Sequence, residues 1–271
     1  MQLNNKNVII HAHGGDNMIK SINFTDDELS NIKKWIYSED CYESSTHPYT
    51  IDGEKKVIKL FKSKIDIENK IKKINLIKER TKDIDFVITA DFFVKNNDKI
   101  IGYGMPYIKG KLIDYAKGSS KKQNIMYLKQ LSEQLKKLHK LNIIAADFNH
   151  NHIIQENGEI KLIDHDNFKI DNLDIDSKNN FVKNYIKKTG KFDDKFDDYF
   201  LNLFTISIIT HINTLSLLNY NSFLFNKWPK DNEICSIIKK TLDLEDNYDE
   251  DLIVDKTNNK KDLKKLRKRL F

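Results

Sequence analysis

The chain has 271 residues, 39% of them hydrophobic and 32% charged, with 46 Lys and Arg against 40 Asp and Glu and a formal charge of +6. That length suits one large domain or two modest lobes. The composition excludes a multispan membrane protein, 15 Phe and 11 Tyr exclude wholesale disorder, and nine Gly with three Pro are too few for an all-β protein rich in tight turns. The positive excess is mild and dispersed, so no nucleic-acid partner is expected. Cys41 and Cys235 make neither a disulfide framework nor a zinc spacing, which points to a reducing compartment. With no secretion signal in the first residues, the expected location is cytoplasmic.

Residues 1–34 read as an N-terminal extension, in which His11 and His13 lack a third ligand at metal spacing. Lys56–Phe61 follows the turn Asp52-Gly53 and reads as a strand. Asp66–Arg80 is helical by its period, with Ile67, Ile71, Ile74 and Ile77 on one side. Asp85–Lys95 and Lys99–Ile108 read as two strands joined by a turn at Asn96-Asn97-Asp98. Gln123–Leu141 is an amphipathic helix with Ile125, Leu128, Leu131, Leu135 and Leu138 on one face. Then come Ile143-Ile144, a polar loop to His152, a strand at Ile153-Ile154, a turn at Glu156-Asn157-Gly158 and a strand over Glu159–Ile163. The remainder is mainly helical. The weakly charged stretch Tyr199–Asn226 carries Asn202, His211, Asn213, Asn219 and Asn221, so it reads as a helix buried in protein rather than a membrane span. The basic tail, residues 256–271, has Leu263, Leu266 and Leu270 at helical spacing and reads as a terminal helix with solvated lysines; contact with an anionic membrane or nucleic acid is its alternative. Strands first and helices afterwards make an α+β chain, with residues 35–106 and 107–255 as its two parts.

Three features occur in order: Lys59 inside the apolar strand Val57-Ile58-Lys59-Leu60-Phe61, Asp147 after Ile143-Ile144-Ala145-Ala146, and Asp164 with Asp166 at the end of a strand that follows a tight turn. Together they resemble the protein-kinase-like superfamily, which includes protein kinases and aminoglycoside-type kinases, over residues 35–209. The resemblance implies a bilobal fold, with a small antiparallel-sheet lobe and a larger helical lobe. It also implies a role for each residue. Lys59 would grip the nucleotide α- and β-phosphates, paired with Glu68, which is early for that position, or Glu79, which is late for it, Glu68 being preferred. Asp147 would accept the proton of the attacking hydroxyl. Asp164 would hold Mg²⁺ or Mn²⁺ against ATP, with Asn151 or His152 as the second ligand and Asp166 assisting. Gly104-Met105-Pro106-Tyr107-Ile108 resembles the hinge, where backbone groups of Pro106, Tyr107 and Ile108 would meet adenine and Met105 would back the pocket. Lys195–Leu201 resembles the start of the buried central helix.

The chain also departs from the family pattern. Ala145 and Ala146 replace the usual histidine and arginine, and Asp166 replaces a glycine. The segment expected to be glycine-rich, Ser38–Ser45, has no glycine and carries Glu39, Asp40 and Glu43, so backbone amides there approach phosphates less freely. No Ala-Pro-Glu match follows Asp166. The leading expectation is transfer of the γ-phosphoryl group of ATP to a hydroxyl, first of protein serine or threonine. A small-molecule, sugar or lipopolysaccharide acceptor is the near alternative. The competing class is a catalytically inactive binding or scaffold protein that keeps the fold.

Overall fold

The computed structural model describes residues 19–34, 43–62, 65–112, 120–146, 153–175 and 180–210, with short pieces at 237–238, 240–241 and 252–253. The chain divides into two compact units: Met1–Gly110 with Lys161–Asp166, and Lys111–Ile160 with Asn167–Phe271. The arrangement is α+β.

In the first unit, strand β1 (Lys20–Asn23) leads into helix α1 (Asp26–Lys33), whose start is fixed by a capping box between Thr25 and Glu28. Strands β2 (Ser44–Ile51) and β3 (Glu54–Phe61) form a hairpin around Asp52-Gly53, both with positive φ as the tight turn requires. Helix α2 (Ile67–Arg80) begins at the Asp66 cap, and β4 (Phe92–Asn96) and β5 (Lys99–Pro106) form a second hairpin. The five strands lie in the order β1-β4-β5-β3-β2. β1 runs parallel to β4 while the other pairs are antiparallel, so the sheet is mixed rather than antiparallel throughout.

The period of two along each strand gives this sheet two apolar faces. Ile58, Leu60, Phe92 and Val94 join Leu29 and Ile32 of α1 on one face. Phe93, Tyr103 and Met105, with Val57 and Phe61, join Ile71 and Ile74 of α2 on the other. Within residues 20–33, β1 is the sheet's edge strand beside β4 and α1 covers one of its faces. Of the strand expected over Asp85–Lys95, only Phe92–Asn96 pairs along β5. The preceding residues instead bond to the segment after Ile160, through Leu162 N–H to Phe86 C=O at 2.7 Å and Ile88 N–H to Leu162 C=O at 2.9 Å.

In the second unit, β6 (Lys111–Leu112), β8 (Ile153–Glu156) and β9 (Glu159–Leu162) make a small sheet in the order β6-β8-β9, and β7 (Ile143–Ile144) pairs with β10 (Lys169–Ile170). Helix α3 (Lys121–His139) buries Ile125, Leu128, Leu131, Leu135 and Leu138, the face its sequence period marks out. Gln134 Nε2 donates to the Ile160 carbonyl at 2.9 Å and ties α3 to the β8–β9 hairpin. Helices α4 (Asn180–Thr189) and α5 (Lys195–Thr210) share an aromatic core of Phe181, Tyr185, Phe196, Tyr199, Phe200 and Phe204. Among the described residues no helix is long and apolar enough to cross a membrane. Asn202, fully buried on α5, accepts from the Ile253 amide at 2.9 Å, which gives this polar residue a partner inside protein. The rest of the stretch to Asn226 lies outside the described residues.

Two glycines of β5 set how closely the first unit packs. A Cβ at Gly102 would run into the Lys59 carbonyl oxygen, and one at Gly104 into the buried Phe92 ring. Gly102→Ala should push β5 away from β3 and lower the unfolding free energy by about 1–3 kcal/mol. Urea unfolding measures this, and an unchanged midpoint would contradict the tight approach.

Candidate functional site

Lys59 lies on β3 between Val57 and Phe61, on the sheet face covered by α2. It is 4% exposed, opposite Tyr103 in the β3–β5 register. Its Nζ donates to Asp166 Oδ1 at 2.7 Å and to Asp164 Oδ1. Two carboxylates two residues apart reach one ammonium because the chain turns there. Asp164 has a left-handed φ of 65°, and His165–Asn167 is a single 3-10 turn. Such a conformation is strained for most residues but tolerated by Asp. The Leu162 backbone bonds to Phe86 and Ile88 hold the segment in place.

Asp166 is the centre of the cluster. Its Oδ1 also accepts from the Tyr103 hydroxyl at 2.8 Å, and its Oδ2 accepts from Lys70 Nζ of α2 at 2.8 Å. Lys70 donates further to the Asp166 carbonyl at 3.3 Å and to Glu43 at 3.4 Å. Burial works against every one of these charges, but the opposite charges outweigh it. Asp164 and Asp166 hold the Lys59 ammonium well above the ordinary lysine pKa. Lys59 and Lys70 hold the Asp166 carboxyl well below the carboxylate range. For Tyr103, burial first and Asp166 second push the hydroxyl well above its usual value, so it stays a donor.

His165 is fully buried, edge-on to the Tyr103 ring at 5.4 Å. Neither ring nitrogen has a partner at hydrogen-bonding geometry, and the Ile88 backbone group beside it offsets burial only slightly. Burial lowers its pKa to about 4, so the ring is neutral at pH 7.

In the second unit, Asp197, in the first turn of α5 and fully buried, takes three bonds. His139 Nε2 lies 2.8 Å from Oδ2, and the amides of Ala145 and Ala146 donate to the two carboxylate oxygens at 2.9 Å each. Burial works against a charge on His139, but Asp197 outweighs it and raises its pKa. The two amides immediately precede Asp147 in the sequence, and Ala146 carries a left-handed φ of 61°.

Asp147, Asn151 and His152 lie outside the described residues. Lys59, Asp164 and Asp166 come together. Glu68 and Glu79 do not join them: both are exposed on α2, and the carboxylates on Lys59 come from Asp164 and Asp166. The reason is helical phase. The stripe of α2 facing the sheet runs through Lys70, Lys73, Ile74 and Ile77, which turns Glu68 and Glu79 outward. At the proposed hinge, Met105 is buried in the α2-side core, Pro106 and Ile108 are half-buried and Tyr107 is 39% exposed. The Tyr107 amide already donates to the Lys55 carbonyl at 3.2 Å, and Pro106 has no N–H to offer. Of the segment read as a phosphate loop, Ser44 and Ser45 belong to β2, and Ser38–Tyr42 lies outside the described residues.

As a divalent-cation ligand Asp164 fits, since its side chain is the carboxylate of the pair that keeps solvent access. Asp166 does not fit, because both oxygens are engaged by ammonium and hydroxyl donors. Among the described residues no group of three or more His, Cys, Asp and Glu side chains could hold a metal. Any further donors to a cation at Asp164 must come from elsewhere.

Lys70, Tyr103 and Asp197 were not identified from the sequence. Lys70 had a signal: it precedes Ile74 by four residues and so shares its face. Comparison with protein-family models and with curated proteins finds no match for the chain.

The neutral His165 predicts a pH effect. Its pKa falls on folding, so its stabilising share is complete above about pH 6.5 and is lost as pH falls toward 4, about 3 kcal/mol in all. Asp198, whose carboxyl burial pushes up to about 6, acts in the opposite direction in this window. The informative quantity is therefore a difference between proteins. His165→Phe, compared with wild type by urea unfolding in metal-free buffer at pH 7.5 and pH 4, should gain stability relative to wild type on acidification. A difference that does not change with pH would show that His165 titrates normally.

Proposed function

We propose that the protein is an ATP-dependent phosphotransferase of the protein-kinase-like type, moving the γ-phosphoryl group to a hydroxyl. Protein serine or threonine is the first acceptor class, and a small-molecule, sugar or lipopolysaccharide hydroxyl the alternative. The observation that carries the proposal is a buried strand lysine paired with a strand-end aspartate that keeps access to solvent. The order of β3, α2, β4, β5 and the Asp164 segment along the chain, and the Asp197 anchor before Asp147, support the same reading.

Each residue then has a chemical task. Lys59 stays charged at physiological pH and can exchange one carboxylate partner for phosphate oxygens, while Asp166 keeps the ammonium oriented from behind. Asp164 would hold the divalent cation, which when bound neutralises phosphate charge. Asp147, by its sequence position, would orient the acceptor hydroxyl and take its proton, a contribution of about 10²–10⁴-fold. Ala145 and Ala146, which precede Asp147 in sequence, are held by Asp197.

A second reading, an inactive nucleotide-binding or scaffold protein, is favoured by the Tyr107 amide already engaged with Lys55 and by the absence of glycine from Ser38–Ser45. Turnover separates the two. Purified protein is incubated with labelled ATP and Mg²⁺ or Mn²⁺, alone and with lysate, and label is followed on protein, small molecules and water. Wild type should transfer label. Asp147→Asn should abolish transfer and leave ATP affinity by calorimetry nearly intact, because a group acting mainly in the transition state affects kcat. Lys59→Ala should weaken both. Equal turnover in wild type and Asp147→Asn removes Asp147 from the chemistry. ATP binding without transfer to any acceptor moves the protein to the second reading.

A further inference from the structure

Lys70 is a charge for which the proposed reaction has no use. It sits on the buried stripe of α2 with 1% exposure, where an isoleucine or leucine would pack without electrostatic cost. Among the described residues its ammonium donates to Asp166 Oδ2, the Asp166 carbonyl and Glu43. Glu43 is itself held by backbone pairing, its carbonyl accepting from the Lys62 amide at 2.8 Å. One carboxylate, Asp166, is thus shared between a strand lysine on Oδ1 and a helix lysine on Oδ2. Meanwhile the glutamates of α2 at 68 and 79 face solvent.

We infer that Lys70 and Asp166 form a charge-transposed clamp that positions Lys59: Asp166 supplies the orienting carboxylate from the Asp164 segment, and Lys70 supplies from α2 the cation that holds Asp166. The inference rests on Lys59 being the phosphate-gripping residue proposed above. The ion pairs agree with it: Asp166 is held by the Lys59 ammonium on Oδ1 and by the Lys70 ammonium on Oδ2. Removing Lys70 therefore leaves Asp166 under-compensated and free to follow Lys59. The bonds that link Lys70 to Lys59 run through Asp166. Lys70 is a positioning residue, not one that touches the reacting atoms.

The clamp can be transposed back. In Asp166→Asn the amide oxygen still accepts from Lys59 and Tyr103, while the amide nitrogen, in the place of Oδ2, turns donor. Lys70→Glu then offers it an acceptor. A Glu43→Gln background removes the like charge that a glutamate at 70 would meet.

The native proteins, without nucleotide, are treated with an amine-acylating reagent, and modification of each lysine is followed by mass spectrometry. Lys73, also on α2 and fully buried, is the internal control. Lys70→Met should raise the labelling rate of Lys59 by about tenfold while Lys73 stays protected, because only the local opening at Lys59 becomes easier. The double variant Asp166→Asn/Lys70→Glu should return Lys59 toward the wild-type rate, and Asp166→Asn alone should not. Wild-type labelling of Lys59 in Lys70→Met overturns the clamp. So does an equal rise at Lys73, which would mean that α2 has merely loosened. If Lys70→Met does not fold, the double variant decides: recovery of fold and protection supports the clamp, and failure of both overturns it. Wild type that neither binds nor turns over ATP removes the phosphotransfer reading, while the labelling result still decides the clamp.

Discussion

A protonated amine that cannot reach water constrains everything around it, and Lys59 imposes that constraint here. Its neighbours on the strand are apolar, and the face it points to is the core under α2. Burying an ammonium there is tolerable only with good geometry and full hydrogen bonding from opposite charges. Asp166 meets the first requirement but brings its own buried charge, which Lys70 and the Tyr103 hydroxyl answer. Each partner creates the need for the next, and among the described residues the compensation reaches outward to Asp164 and Glu43, which are less deeply buried. This grading from dry interior to wet edge explains why Asp164 suits an external cation and Asp166 does not.

The sheet makes that arrangement possible by keeping its two faces different. The face under α1 is closed mainly with apolar side chains, with the buried His47 opposite Ile58. The face under α2 mixes an apolar floor with the ionic cluster, so α2 must carry both isoleucines and lysines on one stripe. Gly102 and Gly104 let β5 approach β3 and the Phe92 ring closely, and Tyr103 between them presents its hydroxyl to Asp166. A glycine on each side of one polar aromatic gives a tight sheet that still delivers a hydroxyl to a buried carboxylate.

Much of this was legible in the sequence wherever one physical signal dominated. Helices α2 and α3 follow their apolar period, and the β8–β9 hairpin follows its Asn-Gly turn. Lys59, Asp164 and Asp166 stood out as charges placed inside or beside apolar strands. What escaped reading had competing signals. Ser44–Ile51 contains Ser, Thr, His and Pro, and forms a strand because it lies at a sheet edge and pairs with β3. Lys20–Asn23 becomes a strand only by parallel pairing with β4, far away in sequence. Lys70 was not singled out because the carboxylate that makes its burial possible, Asp166, lies 96 residues later. Glu68 and Glu79 were both out of step with the family's spacing, and the observed phase of the helix places a cation, not an anion, toward the sheet.

The same local problem recurs at the second unit's candidate residue, with a different solution. Among the described residues, the non-glycine positions with left-handed φ are Asn or Asp, except Ala146. Asn and Asp adopt that conformation at modest cost because their short polar side chains bond locally, an option alanine lacks. The structure over-determines it from outside instead, with both oxygens of Asp197 holding the amides of Ala145 and Ala146, and His139 holding Asp197. Strain of this kind persists only where the surroundings enforce it, and it tends to gather at functional positions. The enforcing group is a fully buried carboxylate at the start of a helix that is apolar for most of its length, so its removal would leave the two amides without these partners. Ala146 is the residue immediately before Asp147. The backbone that Asp197 holds is thus the stretch that directly precedes the candidate catalytic aspartate in sequence.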